Sequence, residues 1–247
     1  MGKNLINTNI QSLRLLKEAG VTDNLNEFPI NRFNIKESFK NEDIENNLQT
    51  MNLKTEQQLL KIQDLKELQR FINNFKGCAL YKEANNVVFS DGNPNSKIML
   101  IGEAPGHDED IEGKPFVGRS GKLLDKMLNA IDLDREKVYI ANIIPWRPPA
   151  NRKPTENEIE ICLPLIHKHI ELINPKVLLL LGSTSTHALL KDKTPITKIR
   201  GKWFTLNING KNIQAMPTFH PAFLLRQQKQ KKYVWEDLQN IRDSIKL

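Results

Sequence analysis

The stretch Lys97-Ile98-Met99-Leu100-Ile101-Gly102-Glu103-Ala104-Pro105-Gly106 decides the fold: a short unbroken apolar run opens directly into a glycine- and proline-rich turn. An apolar run of this length bounded by turn residues reads as a strand buried on both faces, the kind found in parallel sheets. Three further runs repeat the pattern, Val138 to Asn142, Lys176 to Leu181 and Ile213 to Thr218. Helical periodicity fills the intervals at Ser120 to Ile131, Thr155 to Ile173 and Ser183 to Leu190, and closes the chain near Gln230 to Ile245. Thr155 and Glu158 have the capping-box spacing, which marks a helix start. Alternation of strand and helix predicts an α/β fold, a three-layer α/β/α arrangement around a central, mainly parallel four-stranded sheet.

Upstream of this pattern, Glu56 to Phe75 carries Leu59, Leu60, Ile62, Leu65, Leu68, Phe71 and Ile72 at the spacing of one helix face. Leu5 to Leu16 also has helical spacing and is stopped by Gly20, whereas Thr22 to Thr55 is polar and asparagine-rich. The expected organisation is therefore residues 1–55 as an N-terminal helix with a polar, partly disordered linker, and residues 56–247 as the α/β/α domain.

The chain has 247 residues, 39% of them hydrophobic and 26% charged, with a net charge of +7. The longest apolar run, Val177 to Leu181, is too short to span a bilayer, and the N-terminus shows no apolar signal core. A cytoplasmic protein without membrane contact is expected, with an acidic partner suited to its charge. Two cysteines, Cys78 and Cys162, read as buried thiols in a reducing compartment and are too few for a four-cysteine metal site.

In such sheets ligands bind where strands end. The first turn leads into the acidic cluster His107-Asp108-Glu109-Asp110 and then into Gly113-Lys114-Pro115-Phe116-Val117-Gly118-Arg119-Ser120-Gly121. No phosphate loop is present, because the GxxxxGK[ST] spacing is missing and the carboxylates repel phosphate. Asn142 ends the second strand, where a planar amide offers donor and acceptor to a ligand edge. Beyond it, Arg147, Arg152 and Lys153 sit on a proline-rich basic loop suited to phosphate. The last strand runs into His220-Pro221-Ala222-Phe223-Leu224-Leu225-Arg226, which sets an imidazole at a strand end beside leucines able to wedge a base stack. His167, His169 and His187 lie within helical segments and read as structural.

Taken in order, the GEAPG turn, the PFVG segment, the asparagine-ended strand and the HPAxLLR loop closely resemble the family 4 uracil-DNA glycosylases over about Phe75 to Leu247. The resemblance implies hydrolysis of the N-glycosidic bond of uracil in single- or double-stranded DNA, by a monomer. It assigns uracil binding to Glu103, Ala104, Phe116, Asn142 and His220, and catalysis to His220 with Glu103 or Glu109. DNA contacts fall on Arg147, Arg152, Lys153, Leu224, Leu225 and Arg226. Family members typically hold a four-iron, four-sulfur cluster on four cysteines; Phe75 and Trp146 stand at two of those positions here, leaving Cys78 and Cys162. A cubane cluster needs about four thiolates, so neither cluster nor other cofactor nor metal is expected. The alternatives are a covalent or non-catalytic uracil-DNA binder of the same fold, a metal-dependent nucleotide hydrolase, and a polymerase-associated or structural DNA-binding domain.

Overall fold

A computed structural model of the chain describes residues 52–245. The helix expected over residues 5–19 and the polar segment after it lie outside the described residues. The single helix expected over 56–75 is instead two. Residues 52–59 are helical, and a second helix, α1, spans Leu65–Asn74. Asp64 causes the break: its Oδ1 accepts the Glu67 amide at 2.8 Å and so starts a new helix, and Leu60 is left 70% exposed in the gap.

The remaining order is β1 (Asp91–Gly92), β2 (Ile98–Gly102), α2 (His107–Glu112), α3 (Arg119–Asn129), β3 (Tyr139–Asn142), α4 (Glu156–Ile173), β4 (Val177–Leu181), α5 (Ser183–Leu190), α6 (Ile196–Ile199), β5 (Phe204–Ile208), β6 (Lys211–Thr218), α7 (Pro221–Arg226) and α8 (Lys231–Ile245). At the start of α4, Thr155 Oγ1 accepts the Glu158 amide at 3.2 Å while Glu158 Oε2 accepts the Thr155 amide at 2.8 Å. The sheet order is β1-β3-β2-β4-β6-β5.

The four expected strands form the parallel centre, β3-β2-β4-β6. The sheet nevertheless has six strands rather than four, because β1 and β5 add antiparallel edges. β5 alternates exposed and covered residues and returns to β6 through Asn209-Gly210, both with positive φ (49° and 82°), as a primed hairpin turn requires. β1 is only two residues long, too short to leave a period.

β2 and β4 are buried along their whole length, which is why they read as continuous apolar runs. Met99, Ile101, Leu178 and Leu180 pack one face with Leu68, Leu165 and Ile170; Leu100, Leu179 and Leu181 pack the other with Leu124, Leu128 and Leu238. The order of strand addition reverses about β2, whose parallel neighbours are β3 on one side and β4 on the other. That switch point opens a crevice at the carboxyl ends of the strands.

Candidate active site

The loops leaving β2, β3, β4 and β6 enclose a cleft of about 680 Å³ at that switch point. Phe116, Asn142 and His220 all line it. The rings of Phe116 and His220 face each other with centroids 5.5 Å apart and planes 30° from parallel. Asn142 and Phe116 meet over Gly102, where an added Cβ would collide with Asn142 Oδ1 and lie 2.7 Å from Phe116 Cζ. Asn142 is 7% exposed, and its Oδ1 is buried without a hydrogen-bond partner. An orphaned buried acceptor costs about 1–3 kcal/mol, which a donor carried in by a ligand would recover.

The position of Phe116 is held against its own backbone preference. Its φ is 56°, in the left-handed region where bulky side chains are strained. Arg135 clamps it: Nη2 donates to the Phe116 carbonyl and Nη1 donates to the Pro115 carbonyl at 3.2 Å. The same guanidinium is anchored by Asp91 at 2.6 Å and Asp125 at 2.8 Å. Gly121 completes the seat, since a Cβ there would run into the Phe116 carbonyl.

His220 is fixed just as closely. Its Nδ1 accepts the Ala222 amide at 3.1 Å, so in the neutral ring the proton sits on Nε2. Burial, with a smaller contribution from the Arg226 charge, pushes its pKa down to about 4, and the ring is neutral at pH 7. Gly182, with φ of 93°, lets the imidazole approach: a Cβ there would lie 2.9 Å from His220 Cβ.

The acidic cluster is not the solvated loop that its composition suggests. Glu109 Oε1 accepts the amides of Val117 at 3.1 Å and Gly118 at 3.0 Å, and Oε2 accepts that of Gly106 at 3.1 Å, tying the two glycine turns together. Asp110 is buried under the amides of Asn85 and Asn86. Glu103 lines the cleft beside Ala104, and its Oε2 accepts the Thr184 hydroxyl.

Sequence reading passed over Thr184, Arg135 and Gly182, and it named Gly102 and Gly121 in their turns without a role beneath the site. Gly182-Ser183-Thr184 follows β4 as the other loops follow their strands, a positional signal that was there to use. Arg135 lies in a polar connector between α3 and β3, where nothing local distinguishes it.

Among the expected DNA contacts, Arg152 and Lys153 are exposed on one wall of the cleft and Arg226 on another. Arg152 forks onto Glu158 at 2.8 and 2.6 Å. Arg147 is partly covered, with Nε on Asn151 Oδ1 at 2.7 Å and Nη1 on His107 Nδ1 at 3.0 Å. Leu224 corrects the expectation of a wedge: it is 1% exposed and belongs to the core against α3 and α8, so it cannot enter a base stack without unfolding α7. Leu225 is partly exposed.

Phe75, Cys78, Trp146 and Cys162 belong to one core cluster. The Phe75 and Trp146 rings stack at 6.2 Å and 19°; both thiols are buried, and the influence of each on the other lowers the pKa of Cys78 and, together with burial, raises that of Cys162. Two thiols beside two packed rings do not fit a four-iron cluster. No group of three or more histidine, cysteine or acidic side chains is arranged to hold a metal among the described residues.

Fold and cleft together define an α/β/α protein with Phe116, Asn142 and His220 gathered in one cleft at the carboxyl edge of a parallel sheet. Residues 89–239 match the model of the uracil DNA glycosylase superfamily, and the chain belongs to that superfamily. It is 44% identical over 173 residues to the type-4 uracil-DNA glycosylase of Saccharolobus solfataricus, covering 68% of this chain and 80% of the relative. The type-4 enzyme of Sulfurisphaera tokodaii is 39% identical over 72% of this chain and 84% of its own length. That of Thermotoga maritima is 40% identical over 68% and 88%.

Proposed function

We propose that this chain excises uracil from DNA, flipping the nucleotide into the cleft and hydrolysing its N-glycosidic bond to leave free uracil and an abasic site. The observation that carries the reading is the unpartnered Asn142 Oδ1 beside the Phe116 ring. A base inside a duplex is out of reach, so it must be extruded, at a cost of a few kcal/mol. The extruded ring stacks on Phe116. Asn142 Oδ1 accepts the N3–H of uracil while its amide donates to O4; cytosine reverses both atoms and leaves buried polar groups opposed.

As the bond between N1 and C1′ breaks, its electron pair moves onto uracil and builds negative charge at O2. His220, neutral with its proton on Nε2, donates to that oxygen. Removing one such preorganised donor typically costs about 3 kcal/mol of barrier lowering. Backbone groups of Glu103 and Ala104 hold the base from the opposite side. Water supplies the oxygen that bonds to C1′ and gives up a proton, which neutralises the departing uracil anion. Both Glu109 oxygens are engaged by amides, so the Glu103 carboxylate, held by Thr184, takes the task of orienting water and facing the cationic sugar, and Glu109 holds the turns. Arg147, Arg152 and Lys153 meet phosphates, while Leu225 and Arg226 fill the emptied stack. No cluster takes part, because aromatic packing occupies its corners.

A covalent binder would need a nucleophile near the sugar after the asparagine strand, and the segment from Ile143 to Ile161 contains no histidine. Incubating the protein with a uracil-containing oligonucleotide and a chelator tests the function. Free uracil and an alkali-labile site are expected, without direct strand scission; a stable protein–DNA adduct or unaltered DNA would contradict it.

A further inference from the structure

We infer that the surface leading from the cleft rim along residues 198–203 and the start of α8 is a second DNA contact, taking the phosphates of nucleotides beside the flipped uracil. The inference rests on the glycosylase reading above.

Two chain segments leave the cleft here. One passes from Ile196 and Thr197, which line it, to the exposed Lys198, Lys202 and Trp203. The other passes from Arg226, also in the lining, to the exposed Lys229, Lys231 and Lys232. Arg200 joins them into one surface: it donates to the Tyr233 carbonyl at 2.5 Å, lies 5.2 Å over the Tyr233 ring, and pairs with Asp237 at the buried foot of α8. Asp237 is held in turn by the Thr218 hydroxyl at 2.6 Å. The charge of Arg200 is thus used internally.

None of Lys198, Lys202, Arg226, Lys229, Lys231 and Lys232 is paired with a carboxylate among the described residues, although the Lys232 ammonium lies 4.7 Å over the Tyr233 ring. Uncompensated cations that continue a cleft built for a polyanion attract the rest of that polyanion. Trp203, 39% exposed, adds a ring face on which an unpaired neighbouring base can stack. Such a surface reads no sequence; it adds affinity, and that affinity depends on salt.

The triple variant Lys229→Gln/Lys231→Gln/Lys232→Gln tests this against the unaltered protein. Binding and excision are measured over a range of NaCl on uracil-centred single strands of about five and about thirty nucleotides. For the long strand, the slope of log affinity against log salt should become shallower by about 2, the effect of three lost phosphate contacts. Excision from the short strand should be unchanged. An unchanged slope on the long strand, or equal losses on both strands, would overturn the inference. Absence of excision by the unaltered protein, with the difference in slope intact, would count against the glycosylase reading and leave the DNA contact standing.

Discussion

The carbonyl of Phe116 occupies the space in which a side chain on Gly121 would have to begin. The glycine is therefore required by the backbone that carries the Phe116 ring. Gly121→Ala should displace Phe116, and Arg135→Met should release it from its left-handed backbone; each should lower kcat/KM on uracil DNA by about 10- to 100-fold, the cost of misplacing a binding surface by about 1 Å. Arg135→Lys should recover little, since one ammonium cannot bridge two carboxylates and two carbonyls. Steady-state kinetics with circular dichroism as a check on folding decide this; normal kcat/KM in folded Arg135→Met would refute the clamp.

In the proposed mechanism His220 acts as a neutral donor, so activity should persist well below the ordinary histidine range. With its pKa near 4, protonation sets in only as pH falls toward that value, and the acid limb of kcat should lie there rather than near 6.5. A limb near 6.5 that vanishes in His220→Gln would show an exposed, ordinary imidazole.

His169 provides a separate pH effect, on stability. It is buried against Phe89 and bonded to the Tyr139 hydroxyl at 2.7 Å, and burial lowers its pKa to about 3. The unfolded chain takes up this proton first, so the stability gained from a neutral His169 is complete above pH 6.5 and drains as pH falls toward 3. Thermal melts should show His169→Gln losing less of its stability than the unaltered protein between pH 6.5 and 4.5. Parallel losses would contradict this.

The two site carboxylates should respond oppositely. Glu103→Gln should depress kcat with little change in KM or melting temperature. Glu109→Gln should lower stability by about 1–3 kcal/mol, because three amides lose a charged acceptor. A fall in kcat alone for Glu109→Gln would exchange their roles.

Most of the scaffold was legible because β2, β3 and β4 are buried along their whole length and so print as short apolar runs. β5 was not, since its residues alternate weakly at an edge, although Asn209-Gly210 carried a hairpin signal. Phe116, Asn142 and His220 were findable because each stands at a strand end or in a distinctive turn. Arg135 and Leu224 were not: a clamp acting across twenty residues, and an apolar side chain that turns into the core instead of out of a short helix, are decided by tertiary packing. Phe75 and Trp146 read as replacements only through the family resemblance, whereas their stacking came with the fold.

That stacking bears on the purified protein, which should contain no stoichiometric iron and no broad visible absorption, and should keep full activity as Cys78→Ala/Cys162→Ala if it folds. Four irons per chain by elemental analysis would overturn the assignment.

Whether a ring, an amide and an imidazole jointly read uracil is decided by single-turnover excision with Asn142→Ala, measured beside DNA affinity at low salt. A loss of about 100-fold or more in the excision rate is expected, with affinity for undamaged DNA unchanged, because base reading and phosphate binding are separate contributions. An excision rate equal to that of the unaltered protein would contradict joint reading.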